Sequence, residues 1–276
     1  MTEPIDTLDS GKLSVHHDFV WLLHRNGLDT FESFYDERLG KRLRDTGLRE
    51  NLRLTLDTSR GPFTFFLKRH EPLRLGEKLF SWVGLGRRVN PAQVEMKNID
   101  RLRQLGILTM QFVALGEDEV SGRSFLMTAE IDGALPADDL ARLRFGSRDR
   151  ETVRARRRFV RALGELVRKL HSARLTHRDL YLCHVFVREV EQDFQLRLID
   201  LQRVARSFLR RWKVKDIAQL EYSRPPGTFS RTDGVRFLHA YFQTHRLGRR
   251  EKLFTADVLS KAERMRRKNP PREVCQ

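Results

Sequence analysis

Cysteine is nearly absent from this sequence: among 276 residues only Cys183 and Cys275 occur. They stand far apart and outside any CxxC or Cys/His spacing, so neither a disulfide framework nor a structural zinc site is supported and a reducing compartment is expected. Long apolar runs are missing too. The candidates are pieces as short as Phe63 to Leu67, against the roughly 18 to 20 residues that span a bilayer, which argues against a transmembrane helix. The N-terminal MTEPIDTLDSGKLS lacks the basic start and apolar stretch of a secretory signal, so a cytoplasmic location is expected. No repeat of fixed period and no Gln, Ser or Gly tract marks a linker.

Acidic residues are outnumbered, 53 Lys+Arg facing 37 Asp+Glu for a balance of +16. Such an excess points to an anionic partner: nucleic acid, an acidic membrane face or a phosphorylated substrate. With 39% hydrophobic residues and 18 Phe, the chain has apolar surface enough for one large domain or two lobes.

The first 20 or so residues are polar and are expected to fray. From Asn51 to Lys68, LRLTL, a turn and FTFFLK read as a β-hairpin. Asn90-Pro91 is a helix-start signal, and the helix it opens ends near Gly106 with Ala92, Glu95, Ile99 and Leu102 on one face. Strands are expected over Met110–Leu115 and Ser124–Ile131, then a polar irregular stretch over 132–149. An amphipathic helix runs over about 152–171, a hairpin pairs Cys183–Arg188 with Phe194–Ile199, and the remainder is helical. Strands with one helix, followed by helices with one hairpin, predict an α+β protein of two lobes divided near 130–133, with the intervening cleft a natural ligand site.

Four residues stand out chemically. The hairpin brings Asp179, just before its first strand, to the same end as Asp200, just after its second. Two such carboxylates can hold magnesium and activate a hydroxyl, or each can cap a turn. Lys68 faces a partly buried layer, where charge is costly unless paired, and Glu95 is the inward-facing acid at hand. The pair is either structural or a device that places Lys68 on a phosphate. In combination, a strand Lys, a helix Glu, HRD opening a loop and a hairpin ending in Asp form the protein-kinase arrangement.

Within that arrangement the sequence resembles the lipopolysaccharide kinase family, which phosphorylates core heptose or Kdo sugars. The likeness is carried by HRDLYLCHVFV (His177–Val187), LIDLQRV (Leu198–Val204) and RWKVKDIAQLEYS (Arg211–Ser223), with weaker support from FFLKRH, RLRQLGILTM and SFLMTAEI. It covers about Thr46 to Phe242. The resemblance implies a protein-kinase-like fold with an N-terminal extension over 1–45, a strand-rich N-lobe over 46–131, and a helical C-lobe with a basic tail over 132–276. It implies an ATP-dependent phosphotransferase with Asp179 as catalytic base. Lys68 would hold the ATP phosphates, Glu95 would position Lys68, and Ala129, Glu130 and Ile131 would form the hinge that meets adenine. Asp200 would bind Mg2+, and His177, Arg178 and Asp216 would support the site.

The sequence departs from protein kinases in three places. His184 stands where they carry a metal-binding Asn; imidazole suits a hard cation poorly, so one magnesium suffices, or His184 orients Asp200 or a phosphate. Gly47 is the only glycine where a Gly-rich loop is expected, leaving Arg49 and Asn51 as stand-in phosphate contacts. No activation segment follows Asp200. The arginines at 154, 156, 157, 158 and 161 and the tail cations at 264, 266, 267 and 268 are solvated faces, or they dock the chain peripherally on the anionic cytoplasmic face of an inner membrane that carries the glycolipid acceptor. Nucleic acid is a minor alternative, for want of any recognisable binding motif. Two other functional readings are kept: a kinase of another small molecule or of a protein, and a nucleotide-binding pseudokinase acting as an interaction module.

Overall fold

The computed structural model describes residues 4–59, 61–72, 90–191 and 193–268; Cys275 lies outside them. Two compact units divide the chain, 1–101 with 110–131 and 102–109 with 132–276.

The first unit is built on a seven-stranded antiparallel sheet. Its strands are β1 (Ile5–Leu8), β2 (Leu13–His16), β3 (Lys41–Asp45), β4 (Arg49–Thr58), β5 (Gly61–His70), β6 (Gln111–Asp118) and β7 (Arg123–Ala129), in the order β1-β2-β6-β7-β5-β4-β3. Among the described residues, the fraying expected of the first 20 is not what the structure shows. Leu13 and Val15 of β2 are fully buried and pair with Gly116 and Ala114 of β6. The strand reads as polar because its two apolar residues, Leu13 and Val15, alternate with Ser14 and His16, and only its place between β1 and β6 buries them. After helix α1 (Val20–Arg25), Phe31 and Phe34 close the core over Phe125, Phe34 stacking on it at 4.2 Å. The Phe125 ring also explains Gly116, where a Cβ would come within 2.0 Å of it. Arg69 is buried on β5 and fastens the same segment, donating to the carbonyls of Phe34 and Asp36 and to Glu50.

Helix α2 (Pro91–Gln104) opens where the sequence predicts, the Asn90 side chain accepting from Ala92 N at 2.9 Å. Ala92, Glu95, Ile99 and Leu102 are all fully buried, so one carboxylate does lie on an otherwise apolar stripe.

In the second unit, helix α3 (Ala137–Arg144) replaces the irregular stretch expected over 132–149; of its four apolar residues Ala137, Leu140 and Ala141 are buried and Leu143 is exposed. Helix α4 (Arg150–Ser172) packs on α6 (Arg231–Phe242) so closely at Gly164 that a Cβ would meet the Phe237 carbonyl at 2.7 Å. The unit also holds α5 (Arg210–Tyr222) and the small strands β8 (Leu135–Pro136), β9 (Leu175–Thr176) and β12 (Ala205–Arg206). The hairpin of β10 (Val185–Val190) and β11 (Asp193–Leu198) pairs Val185 with Leu198, and α7 (Arg249–Lys268) follows. Residues 182–184 form a short 3-10 turn rather than the start of the strand, because Leu182 N is drawn to Ser223 Oγ and His184 N to the Tyr181 carbonyl. Cys183 is half of a disulfide, against the expectation of none; spacing motifs report local pairings and are blind to a bond made by tertiary approach. Among the described residues no helix is long and apolar enough to cross a membrane.

Candidate active site

One stripe of helix α5 organises the loop that carries Asp179. Trp212, Asp216, Gln219 and Ser223 recur at helical spacing, but the last three meet backbone N–H groups instead of continuing an apolar seam. The fully buried Asp216 carboxylate accepts from His177 N and Arg178 N, both at 2.7 Å, and lies 3.1 Å from His171 Nε2. Gln219 Oε1 accepts from Leu180 N at 3.1 Å and Ser223 Oγ from Leu182 N at 2.9 Å. A buried donor left unmet costs about 1–3 kcal/mol, so each of these side chains narrows the loop towards a single conformation.

That conformation is strained at Arg178, whose φ of +70° is costly for any residue with a Cβ. Three contacts hold it there. Asp216 takes its N–H, its carbonyl accepts from Lys215 Nζ, and its guanidinium lies 4.4 Å above the Trp212 ring. Strain maintained in this way is a mark of a functional loop. The next residue is Asp179, whose carboxylate accepts from Arg203 at 2.9 and 3.0 Å and lies 3.8 Å from Lys215 Nζ. Burial pushes the Lys215 ammonium pKa down, and the charge of Asp179 opposes that shift.

His184 and His177 join this loop to the end of the β10–β11 hairpin. His184 Nδ1 sits 2.7 Å from the Asp179 carbonyl, which can only accept, so Nδ1 carries the proton. Its Nε2 lies 3.9 Å from Asp200 Oδ2. His177 Nε2 lies 3.0 Å from the carbonyl of Ile199, just before Asp200, and the two imidazoles stack at 6.1 Å. Asp200 is left-handed, with φ +54°, a conformation that Asp tolerates better than most residues.

Among the described residues no three His, Cys, Asp or Glu side chains converge on a ready-made metal cage. Magnesium needs no such cage, since it takes one or two carboxylates and completes its shell with phosphate and water oxygens. The Asp200 carboxylate fits that requirement.

In the first unit, Lys68 Nζ lies 2.6 Å from Glu95 Oε1, the lysine side chain 15% exposed and the glutamate fully buried. Asn51 stands opposite Lys68 in the β4–β5 register and accepts from Arg49 Nε at 3.1 Å, so the two side chains offered as phosphate contacts touch each other. Gly47 turns the chain between β3 and β4 with φ +76°. Ala129 ends β7 in the core, Glu130 N donates to the Thr64 carbonyl at 3.0 Å, and Ile131 is the last residue of the unit.

The model of the lipopolysaccharide kinase (Kdo/WaaP) family matches residues 82–241, more than half of the chain and all of the loop and helix just described. The chain belongs to that family. The lipopolysaccharide core heptose(I) kinase WaaP of Pseudomonas aeruginosa is 33% identical over 228 residues, 79% of this chain and 82% of the relative. WaaP of Escherichia coli is 28% identical over 78% of this chain and 82% of its own length. A solved structure of WaaP in complex with acyl carrier protein aligns with a TM-score of 0.68 at 30% identity, covering 93% of this chain and 98% of its own. That coverage exceeds the Thr46–Phe242 span of the sequence resemblance. The chain is thus a kinase, with the protein-kinase-like α+β fold of its family.

The residues that sequence reasoning missed are Lys215, Gln219, Ser223 and Arg203. A trace was available: polar residues at helical spacing on the face of α5 that ought to be apolar. One residue in each of the two basic runs also changes meaning. Arg156 is tied to Asp233 at 2.9 Å and to the Phe145 carbonyl, and Arg266 to the carbonyl and carboxylate of Glu221, so neither belongs to a solvated face.

Burial pushes the pKa values of His171 and His177 down, so both are held neutral around Asp216. The unfolded chain takes up protons near pH 6.5 that the folded chain refuses. Stability is therefore complete above that pH and falls below it, by at most about 1.4 kcal/mol per pH unit for each histidine. Urea midpoints between pH 8 and 5.5 should show the decline, and H171Q should flatten it.

Proposed function

We propose that the chain transfers the γ-phosphate of ATP to a hydroxyl of heptose, or of Kdo, in the lipopolysaccharide inner core. Heptose is favoured because the relatives are named as heptose(I) kinases. The observation that carries the reading is the strained, fully braced loop that presents Asp179.

In this reading the sugar oxygen attacks the γ-phosphorus, the bond to the ADP oxygen breaks, and Asp179 takes the hydroxyl proton. Lys68, positioned by Glu95, binds the ATP phosphates, and residues 129–131 meet adenine through their backbone. Mg2+ held by Asp200 would neutralise phosphate charge. His184 anchors the Asp179 carbonyl and so sets the distance between the two carboxylates. Arg203, whose side chain is 58% exposed, is free to exchange Asp179 for a substrate phosphate. The acceptor places the enzyme peripherally on the cytoplasmic face of the inner membrane, where exposed cations would meet acidic lipid.

The Arg203 contact also favours a second reading, a nucleotide-binding module without turnover in which the carboxylate stays occupied. Label from γ-phosphate-labelled ATP, followed onto core glycolipid from a strain lacking the gene, separates the two. Label on the sugar is expected with the wild-type chain; ATP binding without transfer to core heptose or Kdo would sink the kinase reading for this acceptor.

A further inference from the structure

Between β12 and α5 the chain exposes two adjacent large apolar side chains, Phe208 at 76% and Leu209 at 52%. The other apolar side chains more than half exposed, Trp21, Leu43, Val120, Leu143, Leu253 and Leu259, each stand alone in the described sequence. Single exposed hydrophobics are ordinary; a contiguous pair is not. The loop beneath is also firmly held. Ser207 is buried, its N–H donates to the Arg174 carbonyl at 2.8 Å, its hydroxyl accepts from Leu209 N at 3.2 Å, and Arg174 lies 4.7 Å over one face of the Phe208 ring. The apolar pair is thus carried outward on a fixed backbone.

Charge around the pair is of one sign. From Leu201 to Lys215 there is no acidic residue, whereas Arg203, Arg206, Arg210, Arg211, Lys213 and Lys215 are all cationic. Arg203 is spent on Asp179, Arg210 on Asp257 and Lys215 on the Arg178 carbonyl. Arg206 and Arg211 are exposed and Lys213 half-exposed, leaving three cations around the apolar pair. Apolar tips ringed by long basic side chains suit the interface of an anionic bilayer, where the tips enter the acyl boundary and the cations meet headgroups.

We propose that residues 206–213 are the edge by which this chain docks on an anionic phospholipid bilayer, with Phe208 and Leu209 inserted. The edge lies at the same end of α5 as the reacting group: Trp212 stacks under Arg178, and Lys215, one turn further on, is 3.8 Å from Asp179. Docking there would turn the end of α5 that carries Lys215, and with it Asp179, towards the lipid surface. The inference rests on the proposed membrane-borne acceptor for its purpose, but not for its test.

The full chain is sedimented with phosphatidylethanolamine vesicles containing phosphatidylglycerol, and with phosphatidylcholine vesicles, without ATP or acceptor. Wild type is expected to bind the anionic vesicles and to retain part of that binding at high salt, since insertion, unlike charge attraction, is not screened. The double variant F208S/L209S should bind about tenfold or more weakly, the order expected from burying two large apolar side chains. R206Q/R211Q should lose binding only at low salt, and the isolated surface change L143S should leave binding unaltered. Melting temperatures are expected to stay unchanged throughout, since all five side chains are exposed. Wild-type binding retained by F208S/L209S, or no wild-type binding to anionic vesicles, overturns the proposal. Neither outcome bears on phosphate transfer, which is measured separately on dispersed acceptor.

Discussion

Replacing Asp179 with asparagine is expected to lower turnover by about 10²- to 10⁴-fold, the range for removing a general base, while leaving the fold intact. The two effects separate because Asp179 carries none of the loop's backbone brace through its side chain. Its partners are Arg203, more than half exposed, and Lys215 at 3.8 Å, and exposed ion pairs contribute at most about 1 kcal/mol. The amide has the shape of the carboxylate and can still accept from Arg203, but it cannot take a proton from a sugar hydroxyl. Single-turnover transfer of labelled phosphate, run beside a nucleotide-induced melting shift, checks both halves. A D179N rate near that of wild type would remove Asp179 from the mechanism.

Asp216→Asn should fail in the opposite order, stability first and activity as a consequence. Both Asp216 oxygens are used inside the fold, one for each of two backbone N–H groups, with His171 on the shared side. An asparagine amide has one accepting oxygen, so its NH2 is forced against the other N–H, and one charge-assisted bond becomes a donor facing a donor. The expected cost is about 2–4 kcal/mol, combining a lost bond to a charged group with a buried donor left unmet. Without that anchor the φ of +70° at Arg178 has less to hold it, and Asp179 moves with it. A shift of order 1 Å costs about 10²-fold in rate. A urea titration gives the first quantity, and kcat measured on folded protein gives the second. An unchanged urea midpoint would show that the brace is not what holds the loop.

Much of this was legible because its signals are local. Asn90 capping a helix at Pro91, Glu95 on the apolar stripe of that helix, and Asp179 and Asp200 flanking a hairpin all follow from spacing within a few residues. Signals failed where burial is decided by partners remote in sequence. Strand β2 looks polar and frayed until β6 covers alternate residues. Helix α3 is too short, with too few apolar positions, to stand out from a loop. Arg69 reads as a surface cation at the end of a strand, yet its guanidinium is buried among carbonyls of the N-terminal segment.

From sequence alone come the hairpin of β4 and β5, helix α2, the strands β6 and β7, helix α4, the α+β class and the kinase-family resemblance of the HRD loop and the hairpin that follows it. Periodicity and turn chemistry act over one or two turns of chain, and the composition of a short motif is itself local. Only the tertiary structure decides that Gln219 and Ser223 hold the loop N–H groups, that Arg156 and Arg266 are structural rather than solvated, and that Phe208 and Leu209 stay outside the core. A hydrogen bond or a buried surface belongs to two segments at once, and nothing in either segment names the other.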